Sequence, residues 1–416
     1  RPWTALTDAE EVPALRASAP APRAAPDAKA WAPLKQLLDG WEFTQNYAIA
    51  VGTPEHGRLF VYEGGNFTMK TPVPVGSTSK WPGAMMMAGI VNDGTIASLD
   101  DPVSKYLDWW TKDAGDPRGA VTLRMLLSFT SGFGDGHPGQ ESNTRAARDW
   151  RARHNESRRV TGLTAQASDE CDGEKGEVVK CAQWIYANVK LIGTPGQVYS
   201  YNSNHLQLAA AVAMAATGRP IQEVIKKYLV EPYGMPSSFY QGAGCPDFAG
   251  TLVTTGEDYE SFLTHLLRRD TLKREIVDAA EADSTPFMGD FYTLYGDYGF
   301  GHFLMCFDSV GGMTEKCKQD MCHMAPGAFG FIPIINRKHN YYLQLASAEI
   351  APTGDYPLSG IPEYLAVAVK PHVDAILSAS PPVDQEHLSH SPNFMTLGIA
   401  DVNYCLNCVK NPTACA

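Results

Sequence analysis

The spacing of apolar residues changes several times along this chain, and each change predicts an element. Residues 31–39 carry the period of a first amphipathic helix. Residues 47–51 and 58–62 are short β-rich runs split by a turn, which predicts a hairpin. A helix-like apolar run follows at 81–90 and ends at the turn Asn92-Asp93-Gly94. Residues 121–127 predict a helix with a Thr122 cap, stopped by Thr130-Ser131-Gly132. Helical patterns recur at 206–217, 221–230 and 256–269. Strand-like runs return at 298–305, 328–335 and 341–346, and a last helix is predicted over 362–376. Strands near both ends with helices between them predict an α/β protein of the α+β type. One antiparallel sheet is built from both chain ends and flanked by helices, and a helical region at about 100–290 is inserted between them.

Three stretches depart from this pattern. Residues 1–30 are rich in Ala and Pro and read as an extended lead-in to a domain spanning 31–376. At about 140–182 the chain turns polar, first basic and then acidic. This predicts a surface insertion stapled by Cys171 and Cys181, a lid over the site. Residues 377–416 form a Cys-bearing tail. With no signal peptide ahead of Arg1, a processed mature form is expected.

Composition narrows the function classes. A chain of 416 residues, 44% hydrophobic, buries a large core. Its net charge is −12, from 34 Lys+Arg against 46 Asp+Glu, and it has no long basic run. Nucleic acid and anionic membrane are therefore disfavoured partners. The longest helix-like apolar run, 206–216, is too short to span a bilayer. Nine cysteines, several in local pairs, predict a disulfide framework in a secreted protein or another oxidising compartment, with one thiol left over. The sequons at Asn66 and Asn155 point the same way. Cys405, Cys408 and Cys415 with His387 and His390 offer a zinc knuckle as an alternative; otherwise neither metal nor cofactor is expected.

The candidate chemistry lies in Gly76-Ser77-Thr78-Ser79-Lys80. A serine three residues before a lysine, where turn gives way to helix, puts both side chains on one face. A partly desolvated amine can take the serine proton or hold the alkoxide by charge. Backbone N–H groups at the helix start aim at the same oxygen. A Gly-x-Ser-x-Gly elbow is missing, which excludes an α/β-hydrolase, and so is His-Glu-x-x-His, which excludes a zinc hydrolase of that type.

With these residues in view, the chain from about 45 to 376 resembles the serine β-lactamase and penicillin-binding-protein superfamily. It is closest to the class C β-lactamase-like branch, which also holds family VIII esterases and D-amino-acid peptidases. The similarity runs through Pro74 to Lys80, Asp93 to Leu107, Val121 to Gly132, Thr194 to Ser203, Glu231 to Met235 and Gly250 to Thr255. The resemblance implies that Ser77 forms an acyl-enzyme, that Lys80 manages its proton, and that Tyr201 acts as general base and then acid. A free tyrosine titrates far above neutrality, so this role leans on the lysine. Ser203 stands where many relatives have asparagine, which weakens recognition of an amide side chain.

Relatives also place Lys or His, any residue, then Gly on a strand edge, and the next residue lends an N–H to the oxyanion hole. His323-Met324-Ala325 fails as that motif, because Pro326 has no N–H. Ala325-Pro326-Gly327 works, with Ala328 and Ser77 as the two donors. Ala325 then replaces a charged side chain that helps bind a substrate carboxylate, and His323 partly stands in for it. Its alternative is a strand-end histidine beside a disulfide at Cys322. The expected activity is therefore esterase-like or acyl-transfer on a small ester or amide, with β-lactamase or D-amino-acid carboxypeptidase as alternatives. A non-catalytic binding protein is the rival from another class. Tyr199, Trp109, Trp110, Phe133 and Tyr240 are candidates for an acyl pocket, with core packing as their ordinary fate.

Overall fold

The computed structural model describes residues 24–44, 46–134, 168–291, 297–306, 315–348 and 360–378. Asn155 and the tail cysteines and histidines lie outside them, as does most of the expected insertion.

The predicted hairpin is present as β1 (Tyr47–Thr53) and β2 (Gly57–Gly64), with an irregularity between Val51 and Gly52. From the other end of the chain come β6 (Cys322–Met324), β7 (Ile332–Asn336) and β8 (Tyr341–Ser347). The five form one antiparallel sheet in the order β2-β1-β8-β7-β6, so the sheet is built from both chain ends as expected. Every residue of β1 and β8 is buried. This is the signature of central strands covered on both faces. Helices Gly256–Arg268 and Gly360–Leu377 pack against β8 and β7.

Between the two halves of the sheet lies the helical region. Its centre is the helix Lys80–Asn92, whose residues from Lys80 to Val91 are all buried. A helix apolar on every side has no solvent face and can only be a core element. It packs on the helix Asn204–Thr217, whose first ten residues are also buried.

Two expectations are corrected. The run 298–305 is not a strand: Tyr298 and Phe303 meet in an isolated bridge, and the chain between them turns tightly. Gly301 allows this, with φ +70 and no room for a Cβ, which would lie 2.3 Å from Lys80 O. The run 328–335 is strand only from Ile332; residues 328–330 form the turn that precedes it. A second sheet, β3-β5-β4, was not anticipated. Its strands β3 (Val73–Pro74), β4 (Phe239–Tyr240) and β5 (Leu252–Thr254) are too short to leave a periodic trace.

Cys171–Cys181 is bridged as expected, and Cys306 pairs with Cys317. Two disulfides are compatible with an oxidising compartment. Among the described residues Cys322 has no bridging partner: it is a buried thiol packed beside the Cys306–Cys317 pair, and Cys245 is a second buried thiol. Burial pushes both up to about 12. Trp110, Phe133, Tyr199 and Tyr240 are core residues, and only Trp109 of the proposed pocket aromatics is half-exposed. Among the described residues no helix is long and apolar enough to cross a membrane.

Candidate active site

Residues Gly76–Ser79 form a 3₁₀ turn that runs directly into the helix Lys80–Asn92. In a 3₁₀ turn residues three apart eclipse one another, which brings Ser77 and Lys80 side by side. Lys80 Nζ lies 3.0 Å from Ser77 Oγ and 2.7 Å from Ala249 O. Lys80 is 5% exposed and Ser77 is half-buried, so the amine is shielded while the hydroxyl stays reachable.

The two residues between them fix the turn. Ser79 Oγ donates to Gly76 O at 2.6 Å and accepts from the Leu252 N–H of β5 at 2.9 Å. Thr78 Oγ1 lies 2.7 Å from Ala325 O and 2.9 Å from Phe331 O, so its single proton ties the nucleophile turn to the loop between β6 and β7. Tyr240 and Tyr259 donate to Ser79 O and Thr78 O. Buried carbonyls and hydroxyls are thus paired around Ser77, which leaves the turn little freedom.

The Ala325-Pro326-Gly327-Ala328 loop lies directly against this turn. Gly327 N donates to Phe331 O at 2.9 Å. A Cβ on Gly327 would meet Val75 O at 2.1 Å, and one on Gly76 would meet Ala328 N at 3.3 Å. The Ala328 amide therefore sits beside the residue preceding Ser77. Among the described residues neither the Ser77 nor the Ala328 N–H has a backbone acceptor. Two unspent donors on the nucleophile turn and the loop against it are the donor set an oxyanion needs.

Tyr201 is half-buried and stacks on Phe303, with ring centroids 5.7 Å apart. Lys80 Nζ lies 4.5 Å from its ring centroid, over the face. No hydrogen bond from its hydroxyl occurs among the described residues. The segment carrying it is held by groups that sequence reasoning missed. Asn202 Nδ2 donates to Phe133 O and Ser200 Oγ, and Asn202 Oδ1 accepts from Asn204 N. His205 Nε2 lies 2.8 Å from Ser200 O, and its Nδ1 lies 2.8 Å from Ser131 Oγ. The polar run Asn202-Ser203-Asn204-His205 opening an otherwise apolar helix was the available signal.

Ser203 is turned to Asp247, donating to Oδ2 at 3.1 Å. His323 does not stand in for the missing third-motif charge. It is 4% exposed, its Nδ1 lies 3.0 Å from His302 Nε2, and burial, with Arg337 and Arg269, pushes it down to about 3. All three residues of β6 are buried, so either face of the strand leads into the interior, and on the His323 side His302 stacks on Trp81. Asn66 is exposed at a turn after β2. Among the described residues no cluster of three or more His, Cys, Asp or Glu could hold a metal ion.

The sequence from 41 to 332 matches the family model for beta-lactamase. Solved structures match too. A protein assigned as a beta-lactamase from Bacteroides dorei DSM 17855 is 24% identical, with a TM-score of 0.58, over 84% of this chain and 99% of its own. EstCE1, a hydrolase with promiscuous acyltransferase activity, is 14% identical, with a TM-score of 0.59, over 82% and 98%. A penicillin-binding protein from Bacillus halodurans is 16% identical, with a TM-score of 0.55, over 82% and 99%. At these identities the likeness to each structure is one of fold. No curated protein matches the sequence. The family match spans most of the described fold, including the Ser77 turn, and on that ground the chain belongs to the beta-lactamase family and is a serine hydrolase.

Proposed function

We propose that the protein cleaves an ester, or transfers its acyl group, through an acyl-enzyme on Ser77. Ser77 Oγ attacks the carbonyl carbon and its proton passes to the Lys80–Tyr201 pair. The tetrahedral oxyanion rests between the N–H groups of Ser77 and Ala328. Its collapse breaks the bond to the leaving alcohol, which takes up the proton. Water or a second alcohol then repeats the attack on the acyl carbon and releases Ser77. The observation that carries this reading is the 3.0 Å contact between the shielded Lys80 amine nitrogen and the reachable Ser77 hydroxyl.

Preference for esters over β-lactams or D-Ala-terminated peptides follows from the third motif. Ala325 carries no charge and His323 is buried against His302, so among the described residues this motif offers a substrate carboxylate no cation. The Cys171–Cys181 and Cys306–Cys317 bridges and the exposed sequon at Asn66 support a secreted, glycosylated protein.

One observation favours the rival reading of a non-catalytic binding protein: among the described residues the Tyr201 hydroxyl makes no hydrogen bond to Ser77 or Lys80, whose Nζ lies over the ring instead. Catalytic hydrogen bonds often tighten only in the complex. Intact-mass spectrometry after a fluorophosphonate probe decides between them. A single adduct lost in Ser77→Ala and slowed in Tyr201→Phe is expected; no adduct on the folded protein leaves the binding reading. Turnover of a chromogenic cephalosporin far above that of aryl esters would reverse the ester preference.

A further inference from the structure

The segment that carries Tyr201 is anchored by Asn202 and His205, but the setting of its ring depends on what packs against it. Phe303 stacks on the ring at 5.7 Å, Tyr298 meets it edge-on at 6.2 Å, and Phe129 leans on it at 5.9 Å. Two of these three belong to the turn 298–303. The same turn touches Lys80, because Gly301 packs on Lys80 O where a Cβ would come within 2.3 Å. Both proposed proton carriers therefore lean on one support.

Among the described residues, one side chain ties that turn by hydrogen bonds. Its glycines and phenylalanines have no polar side-chain atoms, and the buried Tyr298 hydroxyl has no partner. His302 is fully buried, with Nδ1 3.0 Å from Phe300 O and Nε2 3.0 Å from His323 Nδ1. Its ring stacks at 4.5 Å on Trp81, the residue after Lys80. The direction of these bonds follows from the carbonyl. Phe300 O can only accept, so the His302 proton is on Nδ1, and Nε2 of the neutral ring keeps a lone pair. Burial holds both imidazoles neutral, each down to about 3. His323 must then donate from Nδ1 to His302. Its own Nε2 lies 3.9 Å from Glu281 Oε2, beyond hydrogen-bonding reach, and Glu281 is held by Arg337 and Arg269. Donation therefore runs from β6 through His302 into the turn, alongside the backbone pairing of Phe303 with Met324.

We propose that His323 and His302 are positioning residues for Tyr201: the first imidazole donates to the second, and the second fixes the turn whose aromatic rings hold Tyr201 beside Lys80. The inference rests on the acyl-enzyme reading of Ser77 and adds to it a pair that touches no substrate. Packing alone does not call for such a pair, since apolar side chains of similar volume would fill the space without a buried polar network.

The test compares His323→Leu, which removes the donor, with His323→Asn, whose Nδ2 can take the place of Nδ1 and keep it. His323→Leu should lower kcat for an aryl ester and the rate of fluorophosphonate labelling by about 10- to 100-fold with little change in KM, the scale of a reacting group misplaced by about an ångström. His323→Asn should restore most of both. In a Tyr201→Phe background, where the positioned hydroxyl is gone, His323→Leu should cost less than about twofold more. His302→Phe keeps a ring on Trp81 without either nitrogen and should show the same loss, which decides the matter if His323→Leu does not fold. Meta-fluorotyrosine placed at position 201 reads the setting of the ring without turnover: its fluorine NMR signal should shift or broaden in His323→Leu and return in His323→Asn. Wild-type rates in His323→Leu or His302→Phe, equal losses in the Leu and Asn variants, or an undiminished loss in the Tyr201→Phe background would overturn the inference. A fluorine signal that follows the donor, with no fluorophosphonate adduct on the wild type, would sink the acyl-enzyme reading alone; a Ser77 adduct with a signal indifferent to the donor would sink this inference alone.

Discussion

Ser77 and Ser131 each lie within hydrogen-bonding distance of a basic side chain, at 3.0 and 2.8 Å. On paper Ser131 has the better partner. His205 Nε2 donates to Ser200 O, which leaves the lone pair on Nδ1 to accept the Ser131 proton. This is the arrangement of a hydrolytic dyad with an oriented histidine. Yet both residues are fully buried, Phe129 stacks on the imidazole, and burial pushes His205 down to about 3. Ser77 has a less familiar partner but a reachable hydroxyl and two unspent N–H donors beside it. A neighbouring base is therefore not enough to make a serine a candidate nucleophile in this fold. Access and a ready place for the oxyanion are the additional requirements, and only the Ser77 turn meets them.

The largest effect separates the two serines outright. Ser77→Ala should abolish fluorophosphonate labelling and lower ester turnover by at least about 10³-fold. Ser131→Ala should label at the wild-type rate, and an adduct mapped to Ser131 would break the comparison. Next comes Tyr201→Phe, which removes the proposed proton carrier and should cost about 10²- to 10⁴-fold in kcat. Gly327→Ala follows. Its new Cβ has no room against Val75 O, so the loop must move and carry the Ala328 N–H away from Ser77. Loss of one oxyanion donor predicts a fall of about 10²- to 10³-fold in kcat with far less change in KM. Wild-type kinetics in Gly327→Ala would show that Ala328 contributes nothing.

What the sequence disclosed follows the same division. Ser77, Lys80 and Tyr201 sit in local motifs whose spacing is legible in one dimension, and the long apolar helices and the first hairpin are legible by period. The Ala325-Pro326-Gly327 register was reached because proline lacks an N–H, a rule independent of tertiary contacts. His323 was misread because alternation along a strand shows which residues share a face but not that both faces of β6 are covered. Ser131, His205 and Asp247 were invisible for a related reason. Their partners lie 74 residues away for Ser131 and His205, and 44 for Ser203 and Asp247. The strands of the second sheet are two or three residues long, below any period.

Acid should weaken the fold through the buried imidazoles. His205, His302 and His323 are each held down to about 3, chiefly by burial. In the unfolded chain each titrates near about 6.5. The unfolded state therefore binds more protons between these values. Stability is complete above about 6.5 and is lost as pH falls, by about 1.4 kcal/mol per pH unit for each histidine that titrates. His302 and His323 are hydrogen-bonded to each other and should titrate as a pair. Urea midpoints taken from about pH 7.5 down to about pH 4.5 should fall steeply, and a flat profile over that window would show that the imidazoles are not buried neutral.

The smallest effect tests what Ser131 does in place of catalysis. Its hydroxyl satisfies His205 Nδ1, and His205 in turn holds Ser200 O, one residue before Tyr201. Ser131→Ala leaves a buried acceptor unpaired and should cost about 1–3 kcal/mol in unfolding free energy. Because Asn202 also anchors this segment, through Phe133 O and Ser200 Oγ, Tyr201 should keep its place and the labelling rate should hold. A variant of normal stability with slowed labelling would reverse the assignment, making the Ser131–His205 pair a positioning device for Tyr201 and not a satisfied core contact.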